Sequence, residues 1–222
     1  MTNYIFDLAG VIINLDIERD TKALNNIGLP DFEGCLKQPE IAVPTLAYLN
    51  GLMPEQEYCD TIRPVCRQNV TDEEILWAMD DVLDIIPSSR IDMLMELRKE
   101  HKVYLLSNIY DRGWQIATEA FRKHGVAPED CFDHLFLSHE MQLAKPDPRI
   151  FHAVIDTTGI KPEETLFLDD SRSNIETAKN IGFQAQLVPM NKLESITQKI
   201  YLQEQDRKNH NLWNSDCQIK IT

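Results

Sequence analysis

Several absences narrow the choices before any motif is considered. No apolar stretch in the sequence approaches the roughly 20 residues that a membrane-spanning helix needs. The first residues show no basic region followed by an apolar segment and a cleavage site. Both absences set the expectation of a soluble, cytoplasmic protein with no membrane partner. Cysteine is sparse: Cys35, Cys59, Cys66, Cys131 and Cys217 are odd in number and show no Cys-x-x-Cys spacing. Buried or idle thiols in a reducing compartment are the expectation. The histidines, His101, His124, His134, His139, His152 and His210, show no metal-ligand spacing either. Basic residues are outnumbered, 22 Lys and Arg against 36 Asp and Glu, for a net charge of −14. So acidic a surface argues against nucleic acid or anionic membrane as partner. It leaves room for a small local basic pocket that takes a phosphate ester. Internal repeats and low-complexity tracts are absent as well.

What is present is a core. Hydrophobic residues make up 43% of 222, enough for one large domain or a domain with a sizeable insertion. The run "NYIFDL" reads as a short buried strand that stops at "AG". "KVYLLSN" (residues 102–108) is apolar to Leu106 and then abruptly polar, and "TLFLDD" (165–170) has the same design. "HLFLS" (134–138) and "QAQLVP" (184–189) read as further strands. Near-continuous apolar runs suit parallel strands covered on both faces. Between them lie helical patterns at 89–101, around "GWQIATEAFRKHG", "DPRIFHAVIDTTG" and "SRSNIETAKNIG", the last three closing on Gly125, Gly159 and Gly182 as C-caps. Strands alternating with helices predict an α/β fold, a doubly wound, mostly parallel sheet of the Rossmann-like kind.

Residues 16–86 break the alternation. Their segments favour helix, and Thr71 with Glu74 fits a capping box. The expected organisation is a core of residues 1–15 and 87–200, a helical insertion over 16–86, and a tail over 201–222 to which no role is assigned.

Open α/β sheets bind ligands outside the carboxyl ends of their strands. Polar groups fall there at Asp7, at Ser107 with Asn108, and at Asp169 with Asp170; Lys145 adds a cation in the loop "MQLAKPDPRIF". Each has an ordinary alternative. A strand-end Asp usually caps a turn, Ser-Asn is usual turn chemistry, and Asp147 with Pro148 reads as a helix entry. Together they read as a phosphoryl-transfer site. Asp7 and Asp170 can hold a hard cation such as Mg²⁺. Ser107 and Asn108 can hold phosphate oxygens, and Lys145 can offset charge that builds up on the attacked ester. Asp7 can attack phosphorus and form an aspartyl-phosphate.

In order and spacing these segments resemble the haloacid dehalogenase-like (HAD) hydrolase superfamily, in its subfamily with a helical cap inserted after motif I. "FDLAGVI" resembles motif I, "LLSN" motif II, the lysine of "LAKPDPRIF" motif III and "FLDDSRSNIETAKNIG" motif IV. The opening, the "LS---G--KP---I" style of stretch and the double Asp are similar to bacterial phosphatases of the α-D-glucose-1-phosphate phosphatase type. The resemblance implies a nucleophile and metal ligand at Asp7, phosphate binding at Ser107 and Asn108, and an orienting cation at Lys145. It implies Mg²⁺ binding at Asp170 with Asp169 beside it, and at the backbone carbonyl of Ala9. The implied reaction is Mg²⁺-dependent hydrolysis of small phosphate esters, sugar phosphates foremost.

Ala9 departs from the family pattern. Phosphatases of the superfamily commonly carry a second Asp there, as general acid and base. Acid–base help of that kind contributes about 10²–10⁴-fold. Alanine at this place also resembles phosphonoacetaldehyde hydrolases, which cleave a C–P bond through a cap lysine; Lys22 and Lys37 are the lysines available in the insertion. A third alternative is a phosphate-ester-binding protein with little or no turnover. Arg63, Arg67 and Trp77 are candidates for substrate selection in the insertion. The ordinary expectation is surface salt bridges for the two arginines and packing for Trp77. The oligomeric state is not legible.

Overall fold

The structure, a computed structural model, describes residues 3–29, 34 and 36–197. The expected tail over 201–222, Cys35, Cys217 and His210 lie outside them. Five parallel strands form one sheet: β1 (Asn3–Phe6), β2 (Lys102–Ser107), β3 (His134–Leu137), β4 (Thr165–Asp169) and β5 (Gln184–Leu187), in the order β3-β2-β1-β4-β5. Successive side chains of a strand point to opposite faces, and both faces are covered. Tyr4, Phe6, Val103, Leu105 and Leu168 pack into one apolar cluster. Ile5, Tyr104, Leu106, Phe136 and Phe167 pack into another. That two-sided burial is why these strands read as unbroken apolar runs rather than alternating ones.

After β1, and ahead of the helix that leads into β2, come α1 (Ile17–Asn26), α2 (Pro39–Leu49), α3 (Glu55–Ile62) and α4 (Asp72–Asp80). They form a helical cap with an apolar cluster of its own, which includes Leu24, Ile41, Tyr58, Ile62, Ile75 and Met79. Tyr110, which follows β2 in the sheet domain, joins that cluster. The Thr71–Glu74 capping box forms at the start of α4, as expected.

The sheet is flanked by α5 (Ser88–Leu97) and α6 (Asp111–Arg122) on the first face, which contribute Leu94 and Phe121. Short helices α7 (Pro128–Cys131) and α8 (Ser138–Met141) follow. On the second face lie α9 (Pro148–Thr158) and α10 (Arg172–Ile181), which contribute Phe151, Val154 and Ala178. Asp147 caps α9 with Pro148 at its first position, and Gly159 and Gly182 close α9 and α10 in the left-handed conformation.

Several expectations need correction. The helix expected over 89–101 ends at Leu97. There the N–H groups of Glu100 and His101 turn back onto the Leu97 carbonyl to redirect the chain into β2. Strand β5 stops at Leu187, ahead of Pro189, which has no N–H to extend a ladder. Trp77 is 46% exposed, not packed; α4 turns Ile75, Leu76, Ala78 and Met79 inward instead. Arg63 and Arg67 ion-pair with Asp72 and Glu74, as expected of surface arginines.

Candidate active site

The register of the sheet sets the site. Phe6 lies opposite Leu105 on one side and Leu168 on the other, so Asp7 emerges level with Leu106 and Asp169. The strand order reverses at β1, and β1 and β4 form the switch-point crevice where open α/β sheets take ligands. Asp7, Ser107, Lys145 and Asp169 are all buried.

Lys145 comes in from the loop between α8 and α9. Its ammonium donates to Asp7 Oδ1 at 2.6 Å, to Asp169 Oδ2 at 2.7 Å and to the Leu106 carbonyl at 2.7 Å. An ammonium has three protons, and each has its own acceptor, one at the end of each of the three central strands. Burial works against the charge on Lys145, and the two carboxylates more than offset it, so its pKa is raised. Burial pushes the Asp7 carboxyl upward, against the pull of Lys145 and with the repulsion of Asp169. Burial and the charge of Asp169 push Asp170 up to about 6.

Asp7, Asp169 and Asp170 each place a carboxylate oxygen within 4.8 Å of the others. Three carboxylates and one ammonium leave a deficit of two positive charges in a mostly buried site. An all-oxygen donor set with that deficit fits a hard divalent cation. Gly10 makes the cluster sterically possible. Its φ is +75°, and a Cβ there would sit 2.5 Å from Asp170 Oδ2. Ala9, half-buried, contributes no carboxyl group.

Ser107 Oγ is buried and has no hydrogen-bond partner among the described residues. Buried hydroxyls are rarely left so, and this one sits at the end of β2 beside the Lys145 cluster. The Asn108 side chain is engaged within the protein. Its Nδ2 donates to the Lys145 carbonyl at 2.7 Å, and its Oδ1 accepts from the Lys145 N–H at 2.8 Å. The side chain grips the Lys145 backbone, which leaves the Asn108 backbone N–H as its group for a ligand.

Two supports were missed in the sequence. Asn174, on α10, donates from Nδ2 to both Asp169 oxygens at 3.0 Å, while the Ser171 N–H adds a bond to Oδ1 at 2.7 Å. Its one signal is a polar residue on the inward face of α10. Arg90, 2% exposed, donates to the carbonyls of Ile12 and Asn191 and pairs with Glu194. Asn191 in turn donates its N–H to the Gly10 carbonyl at 2.7 Å and pairs through its amide with the backbone of Leu15. These two residues brace the loop that follows Asp7, and they lie too far apart in sequence to suggest it.

A parallel sheet with this lysine–carboxylate cluster under a helical cap is the architecture of a hydrolase family, and the comparisons agree. The haloacid dehalogenase-like hydrolase family matches over residues 1–182, and the chain belongs to it. It is 31% identical over 184 residues to D-ribitol-5-phosphate phosphatase of Bacteroides thetaiotaomicron, covering 82% of this chain and 89% of that one. It is 26% identical to the phosphorylated carbohydrates phosphatase of Thermotoga maritima, over 83% of each chain. Among solved structures, a HAD family enzyme of Bacteroides thetaiotaomicron in complex with magnesium and inorganic phosphate superposes with a TM-score of 0.74 at 37% identity, covering 84% of this chain and 93% of that one.

Proposed function

We propose that this protein is a Mg²⁺-dependent phosphatase of small phosphate esters, with sugar and polyol phosphates as its substrate class. The observation that carries the reading is the Lys145 tripod on Asp7 and Asp169 beside the unpartnered Ser107 hydroxyl. It joins a held carboxylate nucleophile to a donor with nothing to donate to. The named activities of the two curated relatives support the substrate class. The division into a core of 1–15 and 87–200 and a cap of 16–86 belongs to the same reading.

In this mechanism Asp7 attacks phosphorus through the oxygen that Lys145 does not hold. The Asp7 O–P bond forms as the ester P–O bond breaks, and the departing alkoxide takes a proton from water or from the phosphate. Ser107 Oγ–H and the Asn108 N–H donate to the phosphoryl oxygens. Lys145 fixes the rotamer of Asp7 and offsets charge at the reacting centre. Water then hydrolyses the aspartyl-phosphate. Asp7, Asp170, Asp169 and the Ala9 carbonyl would hold Mg²⁺, which would relieve the repulsion between the nucleophile and the substrate dianion. The C–P hydrolase alternative gains no support from the cap: Lys22 is exposed and paired with Glu18, and Lys37 is exposed.

The deciding measurement is phosphate release from a panel of sugar phosphates, polyol phosphates and p-nitrophenyl phosphate, with Mg²⁺ and with a chelator. The expected result is Mg²⁺-dependent turnover that Asp7→Asn abolishes. A folded protein that binds the esters without multiple turnovers would favour a binding role. An Asp7→Asn variant as fast as the parent would overturn the mechanism.

A further inference from the structure

In the proposed metal site the Ala9 carbonyl is the one group that no side chain supplies, so its direction depends on the backbone. The carbonyls on either side of it are engaged. Leu8 accepts from the N–H groups of Ile12 and Ile13, each at 2.8 Å, and Gly10 accepts from the Asn191 N–H at 2.7 Å. The Ala9 carbonyl accepts from no group among the described residues. Its peptide unit is nonetheless fixed. The Gly10 N–H points opposite to the Ala9 carbonyl across a trans peptide, and it donates to the Ile13 carbonyl at 2.8 Å. The same loop lies against the carboxylate cluster: a Cβ on Gly10 would sit 2.5 Å from Asp170 Oδ2.

The far end of the loop runs into the cap. Asn14 donates its N–H to the Ile85 carbonyl and accepts from the Asp84 N–H, both at 2.9 Å, and Leu15 bridges to Leu83. Asn191, which follows β5, reaches both ends of the loop. Its N–H holds Gly10, its Oδ1 accepts from the Leu15 N–H at 2.8 Å, and its Nδ2 donates to the Leu15 carbonyl at 2.9 Å. Its own carbonyl accepts from Arg90 at 3.0 Å. The Asn191 backbone sits at φ +61°, a region open to glycine, asparagine and aspartate and costly for most other residues. Of those three, glycine brings no side chain and an ionised aspartate only accepts. Asparagine answers both the N–H and the carbonyl of Leu15 from that backbone.

We propose that Asn191 is a positioning residue for the metal site: by holding Gly10 and Leu15 at once, it keeps the Ala9 carbonyl pre-set for a divalent cation. The inference rests on the Mg²⁺ site of the phosphatase reading. It adds to that site a residue that acts through the loop and not by contact with the cation. A carbonyl already held in place needs no further ordering when a cation binds, whereas a loose one must first lose its freedom.

The test is Asn191→Gly, which keeps the left-handed backbone and the N–H to Gly10 and removes both bonds to Leu15. Asn3→Ala is the control. Asn3 lies at the opposite end of β1 from Asp7 and donates to Thr165 Oγ1 at 3.1 Å, so the control also deletes a buried side-chain bond, but away from the site. Mg²⁺ affinity is measured by calorimetry without substrate, beside the Mg²⁺ dependence of p-nitrophenyl phosphate hydrolysis. For Asn191→Gly the Mg²⁺ dissociation constant should rise about fivefold, the size of one neutral hydrogen bond. The Mg²⁺ concentration for half-maximal rate should rise by the same factor, with kcat at saturating Mg²⁺ unchanged. Asn3→Ala should bind Mg²⁺ as the parent does. If the parent and Asn191→Gly bind Mg²⁺ equally well, the assignment is overturned and the phosphatase reading stands. Equal weakening in both variants also overturns it, because lost stability would then suffice. A parent that binds no Mg²⁺ overturns the assignment together with the metal part of that reading. If the ester is not turned over, the phosphatase reading fails and the calorimetric constants decide alone. If Asn191→Gly does not fold, hydrogen exchange of the parent decides: Mg²⁺ should slow exchange of the Leu15 amide, and an unchanged rate there overturns the assignment.

Discussion

Asn108 and Lys145 hold each other through a reciprocal pair of hydrogen bonds, side-chain amide to backbone, at 2.7 and 2.8 Å. The pair fixes where the Lys145 side chain starts, and so where its ammonium meets Asp7. Asn108→Ala removes both bonds and leaves the strand end intact. We expect kcat to fall by about 10²-fold, the scale of a misplacement near 1 Å, with a loss of about 1–2 kcal/mol in stability. Phosphate-release kinetics at saturating Mg²⁺, with denaturant unfolding of the same preparation, check both numbers. An unchanged kcat would show that Lys145 is positioned by its three acceptors alone.

Ala9 leaves the site without a carboxyl group at the position where the family pattern places a general acid. Asp7, Lys145 and the Ser107 hydroxyl, to which the proposed mechanism gives its other roles, are all in place. Ala9→Asp should therefore raise turnover on a good ester by tenfold or more, about 1.4 kcal/mol of barrier. The double variant Asp7→Asn with Ala9→Asp should stay inactive, since an acid without a nucleophile has nothing to assist. If Ala9→Asp folds, binds Mg²⁺ and is no faster, the leaving group obtains its proton by another route.

Gly10 and Asp170 are coupled sterically. Gly10→Ala places a methyl group 2.5 Å from the present position of Asp170 Oδ2, on a backbone with φ +75°. The carboxylate must move or the loop must shift. The concentration of Mg²⁺ for half-maximal activity should rise at least tenfold, an outcome shared with Asp170→Ala. Glu176→Ala, on the exposed face of α10, should leave it unchanged. Mg²⁺ titrations of the three variants separate the outcomes, and equal dependence in all would count against Asp170 as a metal ligand.

Asp20, on α1, offers a test of cap electrostatics. Burial and the charge of Asp81 raise its pKa from the usual 3.8 to about 6. An acid whose pKa is higher folded than unfolded keeps its proton longer in the folded state. Its effect is absent below about pH 3.8, and stability falls as pH rises from there to about 6. Asp20→Asn should therefore melt higher than the parent at pH 7.5, and the gain should vanish near pH 3.5. A gain of the same size at both pH values would mean the effect is not ionisation.

Periodicity and composition carried the fold, because a strand covered on both faces has to be apolar throughout and each crossover helix has to bury a stripe. They also marked the strand-end residues Asp7, Ser107, Asp169 and Asp170, because a carboxylate or hydroxyl that ends a buried run stands out from it. That Ala9 carries no carboxyl group was equally plain. Trp77 was misjudged because helical spacing gives a residue's face but not which face is covered.

Linear order alone could not show how those residues pair. The sequence determined that two separated strands end in acids and that a lysine precedes an α-helix. Only the parallel register, with Phe6 set between Leu105 and Leu168, brought those ends to one level and let a single ammonium reach all three central strands. The braces from Arg90, Asn174 and Asn191, and the burial of the Tyr48 ring, belong to that same tertiary level. The contacts of Arg90, Asn174 and Asn191 form within the folded core, and the Tyr48 ring is buried where the cap packs on Tyr110.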